Sequence, residues 1–512
     1  MSEPKTRLRA GRREWIGLAV LALPTVLLAV DLSVLYLALP RLSADLHATS
    51  TEQLWITDIY GFVTAGFLVT MGTLGDRVGR RKLLLIGAAS FGIASVFAAY
   101  STSVAMLIGA RALMGLTGAT LMPSTLALIS NMFRDVRQRA TAIAIWTSCF
   151  LVGAAGGPIV GGVLLEHFWW GSLFLMGVPV MLLLLVTAPF FLPEYRDATS
   201  ERLDIASVGL SLAAILPVVY AVKTLAADGV TIGTSVAAAV GVAAGVAFGI
   251  RQRTLAHPLL DMRLFQNRPF SAALFILMFG VATQGGIMLL VTQHLQIVEG
   301  LSPLRAGWSL MPASAAMVVG CLLAPIVARL IRPGWIISAG LLITTVGYAV
   351  LTQVEGSHEL RLLVTGLILV FFGIGPMAVF SQDLIVGSAP PERAGSAAAL
   401  SETSGDFGIA LGIAIFGSIS TAIYIRRLAV LPSAVPTDIA RLARESLAGA
   451  AEAAQRLPAA VGTDVMTSAQ NAFTAGLHAA AIVSAVICGG LAIIAATALS
   501  RIPSATVTEP EP

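Results

Sequence analysis

Fourteen long apolar runs, parted by short polar or glycine-rich breaks, dominate the chain. They lie near residues 15–39, 53–74, 82–101, 105–129, 140–165, 171–192, 204–223, 230–250, 270–295, 304–328, 333–353, 360–386, 394–424 and 471–499. Each reaches the ~20 residues that a helix needs to cross a hydrocarbon core. The runs are continuous rather than alternating, so they predict spanning helices and not barrel strands. The first run follows Lys5, Arg7, Arg9, Arg12 and Arg13. It is too long for a signal-peptide core, and no small-residue cleavage site follows, so it predicts an uncleaved first span. The pattern changes once, over 425–470. There Ile439, Leu442, Ala443, Leu447, Ala450, Ala454 and Leu457 recur at helical spacing, and Thr437 or Asp438 can cap the start. This predicts an amphipathic helix on the outer face, packed on span ends or serving as a flap over an outer vestibule.

Composition agrees with an all-α integral membrane protein. The 512 residues are 56% hydrophobic and 12% charged, against about 25% charged in soluble domains. The net charge of +4 matters less than its distribution. With the N-terminus inside, 22 of the 32 Lys and Arg fall in inside segments and 4 in short outside loops. That bias predicts both termini on the cytoplasmic side. The chain then parses as a cytoplasmic tail 1–14, a six-helix bundle 15–192, a linker with spans 7 and 8 over 193–269, a second six-helix bundle 270–500 that includes loop 425–470, and a tail 501–512. The two sixes show no strong repeat; residues 323–334 only faintly echo 72–82.

Several function classes drop out. No basic cluster reads as a nucleic-acid face. Cys149, Cys321 and Cys488 fall inside apolar runs and read as small buried hydrophobes, with no disulfide or metal spacing. No phosphate loop of the G-x-x-x-x-G-K-[ST] type is present, and no nucleophile–base set. An enzyme, a resident metal or a cofactor is therefore not expected.

Charges inside the spans carry the chemistry. Asp31, Asp58, Glu402 and Asp406 lie in runs that otherwise read as lipid-spanning. A carboxylate near mid-membrane costs roughly 2.5–3.5 kcal/mol on insertion scales, so each needs a partner, water or a task. Arg111 in span 4 always keeps its proton and must find an acceptor. Asp31 and Arg111 both fall in the outer half, which makes them candidate partners, either for coupling or for structure alone. Asp58 is a candidate acid near the outer mouth or a plain interfacial charge. Glu402 and Asp406 are four apart and share one helix face. Two close carboxylates do not both ionise cheaply, so the pair predicts an exchangeable proton. Asp383, near the inner end of span 12, reads as a solvated end charge.

Three glycine-bearing motifs are more specific. The run Gly72-Thr-Leu-Gly75-Asp76-Arg77-Val-Gly79-Arg80-Arg81-Lys82 joins spans 2 and 3. Its glycines permit a tight turn, Asp76 can meet a helix start or a basic partner, and its cations favour an anionic surface. Arg139, ahead of span 5, is a candidate partner. Arg111 is followed by Gly115 and Gly118. Span 5 carries Gly153, Gly156, Gly157, Pro158, Gly161 and Gly162, in which small residues allow close helix packing and proline predicts a kink. Trp55, Tyr60, Trp146, Phe150, Gln284 and Met288 are candidate cavity residues, with Trp55, Trp146 and Phe150 as candidate cation–π surfaces.

Asp31 with Ala38-Leu39-Pro40, the 72–82 loop, Arg111 with Gly115, and Gly153 to Gly162 resemble the motifs of major facilitator superfamily drug:proton antiporters. The span count and Glu402-Thr-Ser-Gly-Asp406 resemble the fourteen-span branch, and within it the quaternary-ammonium-compound (Qac) multidrug efflux pumps. The resemblance covers nearly the whole chain, including residues 53–60 and the long outer loop. It implies two six-helix bundles with a two-helix insert, rocker-switch alternating access, and export of lipophilic cations against protons. It also implies a monomer in a bacterial-type cytoplasmic membrane, powered by the proton gradient. Asp31 and Arg111 match the family's coupling and substrate region, Asp58 a span-2 acid, and span 5 the motif associated with antiport direction. One departure stands out. Residues 311–320 lack the further span-10 acid that some multidrug relatives carry, so dications needing two spaced carboxylates fit this chain less well. A narrow exporter of one antibiotic or metabolite, a non-transporting sensor, and a uniporter or symporter are the alternatives.

Overall fold

Three helix starts are set by short polar side chains beside apolar runs. Ser103 accepts the Met106 N–H, Asp135 accepts that of Gln138, and Thr231 with Thr234 forms a reciprocal capping box. Each satisfies amides that the first helical turn leaves unpaired. The computed structural model describes residues 10–46, 50–196, 204–228, 231–255, 260, 262–301, 303–355, 359–390, 394–428, 435–445 and 447–500. The helices are α1 (Arg12–Leu46), α2 (Ser50–Val78), α3 (Arg80–Ala99), α4 (Val104–Met132), α5 (Val136–His167), α6 (Ser172–Leu175), α7 (Gly177–Phe191), α8 (Ile205–Asp228), α9 (Ile232–Thr254), α10 (Arg268–Gln293), α11 (Pro303–Val327), α12 (Pro333–Leu351), α13 (Leu360–Gly387), α14 (Ala394–Arg427), α15 (Thr437–Glu445), α16 (Leu447–Gln455) and α17 (Ala459–Ala498).

Among the described residues 13 helical stretches are long and apolar enough to cross a membrane. The fourteenth expected span is α8, whose described apolar part is the shorter Ala206–Val218. The chain is a multi-pass membrane protein. Its two sets of six helices pack by one scheme. α1 lies on α5 as α10 lies on α14, α2 on α4 as α11 on α13, and α3 on α4 as α12 on α13. Across the two sets, α2 meets α14 and α5 meets α11. The repeat that the sequence hides is thus plain in the packing, because it resides in helix order and close approaches rather than in side-chain identity.

Glycine sets those approaches where lipid offers no hydrophobic drive between helices. A Cβ on Gly153 would sit 2.6 Å from the Val26 carbonyl, and one on Gly161 would press on Val34 at 3.0 Å. Gly156 and Gly162, by contrast, face open space. The span-5 motif therefore divides into a face that grips α1 and a face that does not. α5 continues as helix through position 158. In the second set, a Cβ on Gly412 would run into the Ala282 carbonyl. Gly412→Val should cost about 3 kcal/mol, the upper range for overpacking, and lower the melting temperature in detergent. Gly405→Ala on the same helix has no atom within 4 Å and should leave melting unchanged or slightly raised.

α8 and α9 pack on each other, and α8 also touches α2 and α14. Their link is polar at one end, where Arg251 donates to both Asp204 oxygens at 2.8 and 3.0 Å and Gln252 donates to Ser207. The bonds from Arg251 and Ser207 hold the Asp204 carboxyl well below the usual carboxylate range, so this tie persists into acid.

Segment 425–470 departs from expectation. Its described residues hold two short helices, α15 and α16, and the helix of the last span begins at Ala459 rather than near 471. Pro458, fixed at φ −54°, starts α17 in the manner usual for proline at helix N-termini. Thr463 and Asp464 then dilute the hydropathy and conceal the helix. α15 and α16 pack on span ends. Ala443, Leu447, Ala450 and Ala453 are buried, Tyr424 donates to the Ala443 carbonyl at 2.8 Å, and Arg444 donates to that of Leu428 at 3.1 Å.

Candidate functional site

α4 can approach α2 closely because Gly115 and Gly118 face it. A Cβ on Gly115 would lie 2.6 Å from the Tyr60 carbonyl oxygen, and one on Gly118 would lie 2.9 Å from the Tyr60 hydroxyl. Thr64 reinforces the contact by donating to the Gly115 carbonyl at 3.1 Å. One turn before Gly115, Arg111 is carried into the protein, 1% exposed. Its Nη1 donates to Asp31 Oδ2 at 3.0 Å and its Nε to the Ile56 carbonyl at 3.3 Å. Its guanidinium carbon lies 4.8 Å from the Tyr60 ring centre and 6.0 Å from that of Phe174. A guanidinium in such a place is held by a carboxylate, a carbonyl and a π face. Four helices, α1, α2, α4 and α6, contribute.

α14 packs on α2 and α4 from the other six-helix set. Glu402 and Asp406 lie one turn apart on it. Glu402 Oε1 is buried with no hydrogen-bond partner among the described residues, whereas Asp406 is exposed. Tyr60 is buried on α2, with its ring beneath the Arg111 guanidinium, and α2 is the helix on which α14 packs. Asp58 lies on α2, and its side chain falls outside the described residues.

The remaining cavity candidates scatter. Trp55 is 45% exposed with its ring 6.4 Å from that of Phe62. Trp146 is buried and spends its indole N–H on Thr125 at 3.2 Å. Phe150, Gln284 and Met288 are half-buried, and the Gln284 amide reaches the Met317 sulfur at 3.7 Å. His294, which ends α10 in a π-turn, is buried with both ring nitrogens unpartnered among the described residues.

The loop 72–82 forms the polar end of the molecule. Gly79 takes φ +117°, a conformation that glycine tolerates and L side chains rarely adopt. It caps α3 without a side chain. Glu194, far along the chain, supplies the missing acceptor by taking the N–H groups of Arg81 at 3.0 Å and Lys82 at 3.1 Å. A Cβ on Gly75 would run into the Arg80 guanidinium. That guanidinium donates from Nε to Asp76 Oδ1 at 2.8 Å and from Nη2 to the Gly72 carbonyl. The other Asp76 oxygen accepts the Ser396 N–H at 3.1 Å, capping the first turn of α14. Arg196 donates to the Arg77 carbonyl at 2.9 Å.

Two expectations change at this end. Arg139 does not serve Asp76. Its Nε donates to Asp383 at 2.5 Å. Asp383 is accordingly not a solvated end charge but is buried, 4% exposed, because α13 meets α5 where this ion pair forms. Thr147 adds a bond to Gln382 at 3.2 Å. Ser396, Asp383 and Gln382 belong to one six-helix set and Asp76, Arg139 and Thr147 to the other. At the end bearing residues 72–82 the two sets are therefore latched. A cavity of about 550 Å³ lies beside the latch, lined by Asp76, Arg134, Arg139 and Arg196 among others.

The sequence pattern described as Major Facilitator Superfamily matches residues 21–413. The multidrug efflux pump LfrA of Mycolicibacterium smegmatis is 41% identical over 493 residues, covering 96% of this chain and 98% of that protein. The methyl viologen resistance protein SmvA of Salmonella typhimurium is 33% identical over 411 residues, covering 79% of this chain and 82% of that protein. The crystal structure of the human organic anion transporter MFSD10 (TETRAN) aligns over 95% of this chain and 100% of that one, with TM-score 0.55 and 14% identity. At that identity the likeness concerns the fold alone.

Proposed function

This chain belongs to the Major Facilitator Superfamily, and on that premise we propose that it is a proton-coupled efflux antiporter for lipophilic cations. Its relatives are transporters, not enzymes. The observation that supports the proposal is a buried Asp31–Arg111 ion pair in one half, with the Glu402- and Asp406-bearing helix α14 of the other half packed on α2 and α4 beside it. Glu402 adds a buried carboxylate oxygen with no donor among the described residues. A buried acceptor without a donor is costly, and a proton or a cationic drug would relieve it. The names of LfrA and SmvA support drugs as cargo.

In this proposal both termini are cytoplasmic and the latched end faces the cytoplasm. A lipophilic cation enters from the cytoplasm or inner leaflet when the latch opens. It displaces protons held by the Glu402–Asp406 pair and weakens the hold of Arg111 on Asp31. Closing the latch exposes the site outward, where protons reload the carboxylates and the cation leaves. The membrane potential contributes about 2.3 kcal/mol per charge per 100 mV. The protein acts as a monomer in this proposal.

Reconstituted vesicles test this. An imposed pH gradient should drive ethidium movement by wild type. Glu402→Gln should bind ethidium yet lose gradient-driven movement. Dye movement by wild type that ignores the gradient would contradict the proposal.

A further inference from the structure

The end of the molecule opposite the latch carries a feature that transport does not use. α14 finishes with two adjacent arginines, Arg426 and Arg427. Neither makes an ion pair or hydrogen bond among the described residues, in contrast to Arg80, Arg111, Arg139 and Arg251, which all meet a carboxylate. Favourable placement of cations at a helix C-terminus explains one such charge but not the cleft around them. Both line a cavity of about 1040 Å³ with Asn471, Thr474 and His478 of α17. Below these polar groups the cavity continues along Ile423, Ala475, Ala479 and Ile482. Ile482 is 54% exposed. Large apolar side chains left open on a spanning helix face acyl chains. Glu355 stands in the lining as one carboxylate against two guanidiniums, and His478 Nε2 contacts the Val354 carbonyl at 2.8 Å.

We propose that this cleft between α14 and α17 binds an acidic phospholipid, with its phosphate on Arg426 and Arg427 and an acyl chain along Ile423 and Ile482. The chemistry is specific at both ends. Guanidinium forks match phosphate oxygens bidentately. Asn471 and Thr474 offer neutral hydrogen-bonding groups beside it, and the apolar floor suits only a ligand with a tail. In the orientation proposed above, the lipid belongs to the outer leaflet. The site itself stands whether or not the chain couples protons to drugs, since it rests on a different end of α14.

Native mass spectrometry of the purified full chain in detergent, mixed with phosphatidylglycerol and phosphatidylcholine, is the test. Wild type should retain phosphatidylglycerol in preference. Arg426→Gln/Arg427→Gln should weaken that retention roughly thirtyfold, the expected loss for two surface cations. Arg426→Lys/Arg427→Lys should recover part of it, and Arg441→Gln, outside the cleft, should retain it fully. Inorganic phosphate at millimolar concentration should not displace the lipid. Equal retention by wild type and the Gln/Gln variant would overturn the proposal, as would displacement by phosphate alone, which would make the site one for a free anion. Unchanged melting of the Gln/Gln variant would confirm that lost retention is not lost folding.

Discussion

Arg111→Ala should destabilise the protein by about 3–5 kcal/mol, the usual cost of stripping one partner from a buried ion pair, and should end drug export. The reason is geometric. Asp31 is 8% exposed and its Oδ2 accepts from Arg111 at 3.0 Å, so the truncation leaves a carboxylate in a low-dielectric site. Arg111 also holds the Ile56 carbonyl and the Tyr60 face, so α2, α1 and α4 loosen together. Asp31→Asn/Arg111→Gln separates structure from function. Removing both charges should restore most of the melting temperature, because neutral replacement of a buried pair is often nearly free. Export should stay absent, since one of the carboxylates for which drug and proton compete is gone. Melting in detergent and dye export from cells are the two readouts.

Arg139→Ala should shift the molecule toward the conformation open at the cytoplasmic end by about two to four orders of magnitude in population. Asp383 is buried where α13 of one six-helix set meets α5 of the other, and separating the sets would part it from Arg139, so the pair favours the latched conformation. Losing a partner worth about 3–5 kcal/mol moves the equilibrium by that amount. Spin labels at Arg134 and Pro390, in a background lacking the three native cysteines, should report a longer and broader distance in the variant. Arg139→Asp/Asp383→Arg should return the wild-type distance. An unchanged distribution in Arg139→Ala would mean that the Asp76–Ser396 and Thr147–Gln382 contacts hold the latch without the ion pair.

How much of this was legible follows from where each charge lies. Asp31 and Arg111 stood out because mid-span charges have no ordinary explanation, and both fall at one depth. The glycines of 72–82 announced a turn, and the structure gives two of them separate reasons, a positive φ at Gly79 and the Arg80 guanidinium against Gly75. Asp383 misled because a carboxylate near a helix end is usually solvated. Its partner lies 244 residues away, and no local pattern encodes which span ends meet. Ser396 and Glu194 escaped notice for the same reason, though the lone Glu194 just past span 6 was a fair candidate for a cap. The start of α17 was hidden by Thr463 and Asp464, while Pro458 was the signal that marked it. The six-plus-six arrangement followed from counting spans, yet the matching pairs α1–α5 and α10–α14 needed coordinates, since different glycines make the two contacts.

The central claim is that drug and proton compete for the same carboxylates. The direct measurement is proton release from purified, weakly buffered protein in detergent when ethidium or a tetraphenyl cation is added, with wild type beside Asp31→Asn and Glu402→Gln/Asp406→Asn. Competition predicts prompt release by wild type and less in at least one variant, which would identify the exchanging site. Measurable cation binding by wild type with no proton release would contradict coupled antiport.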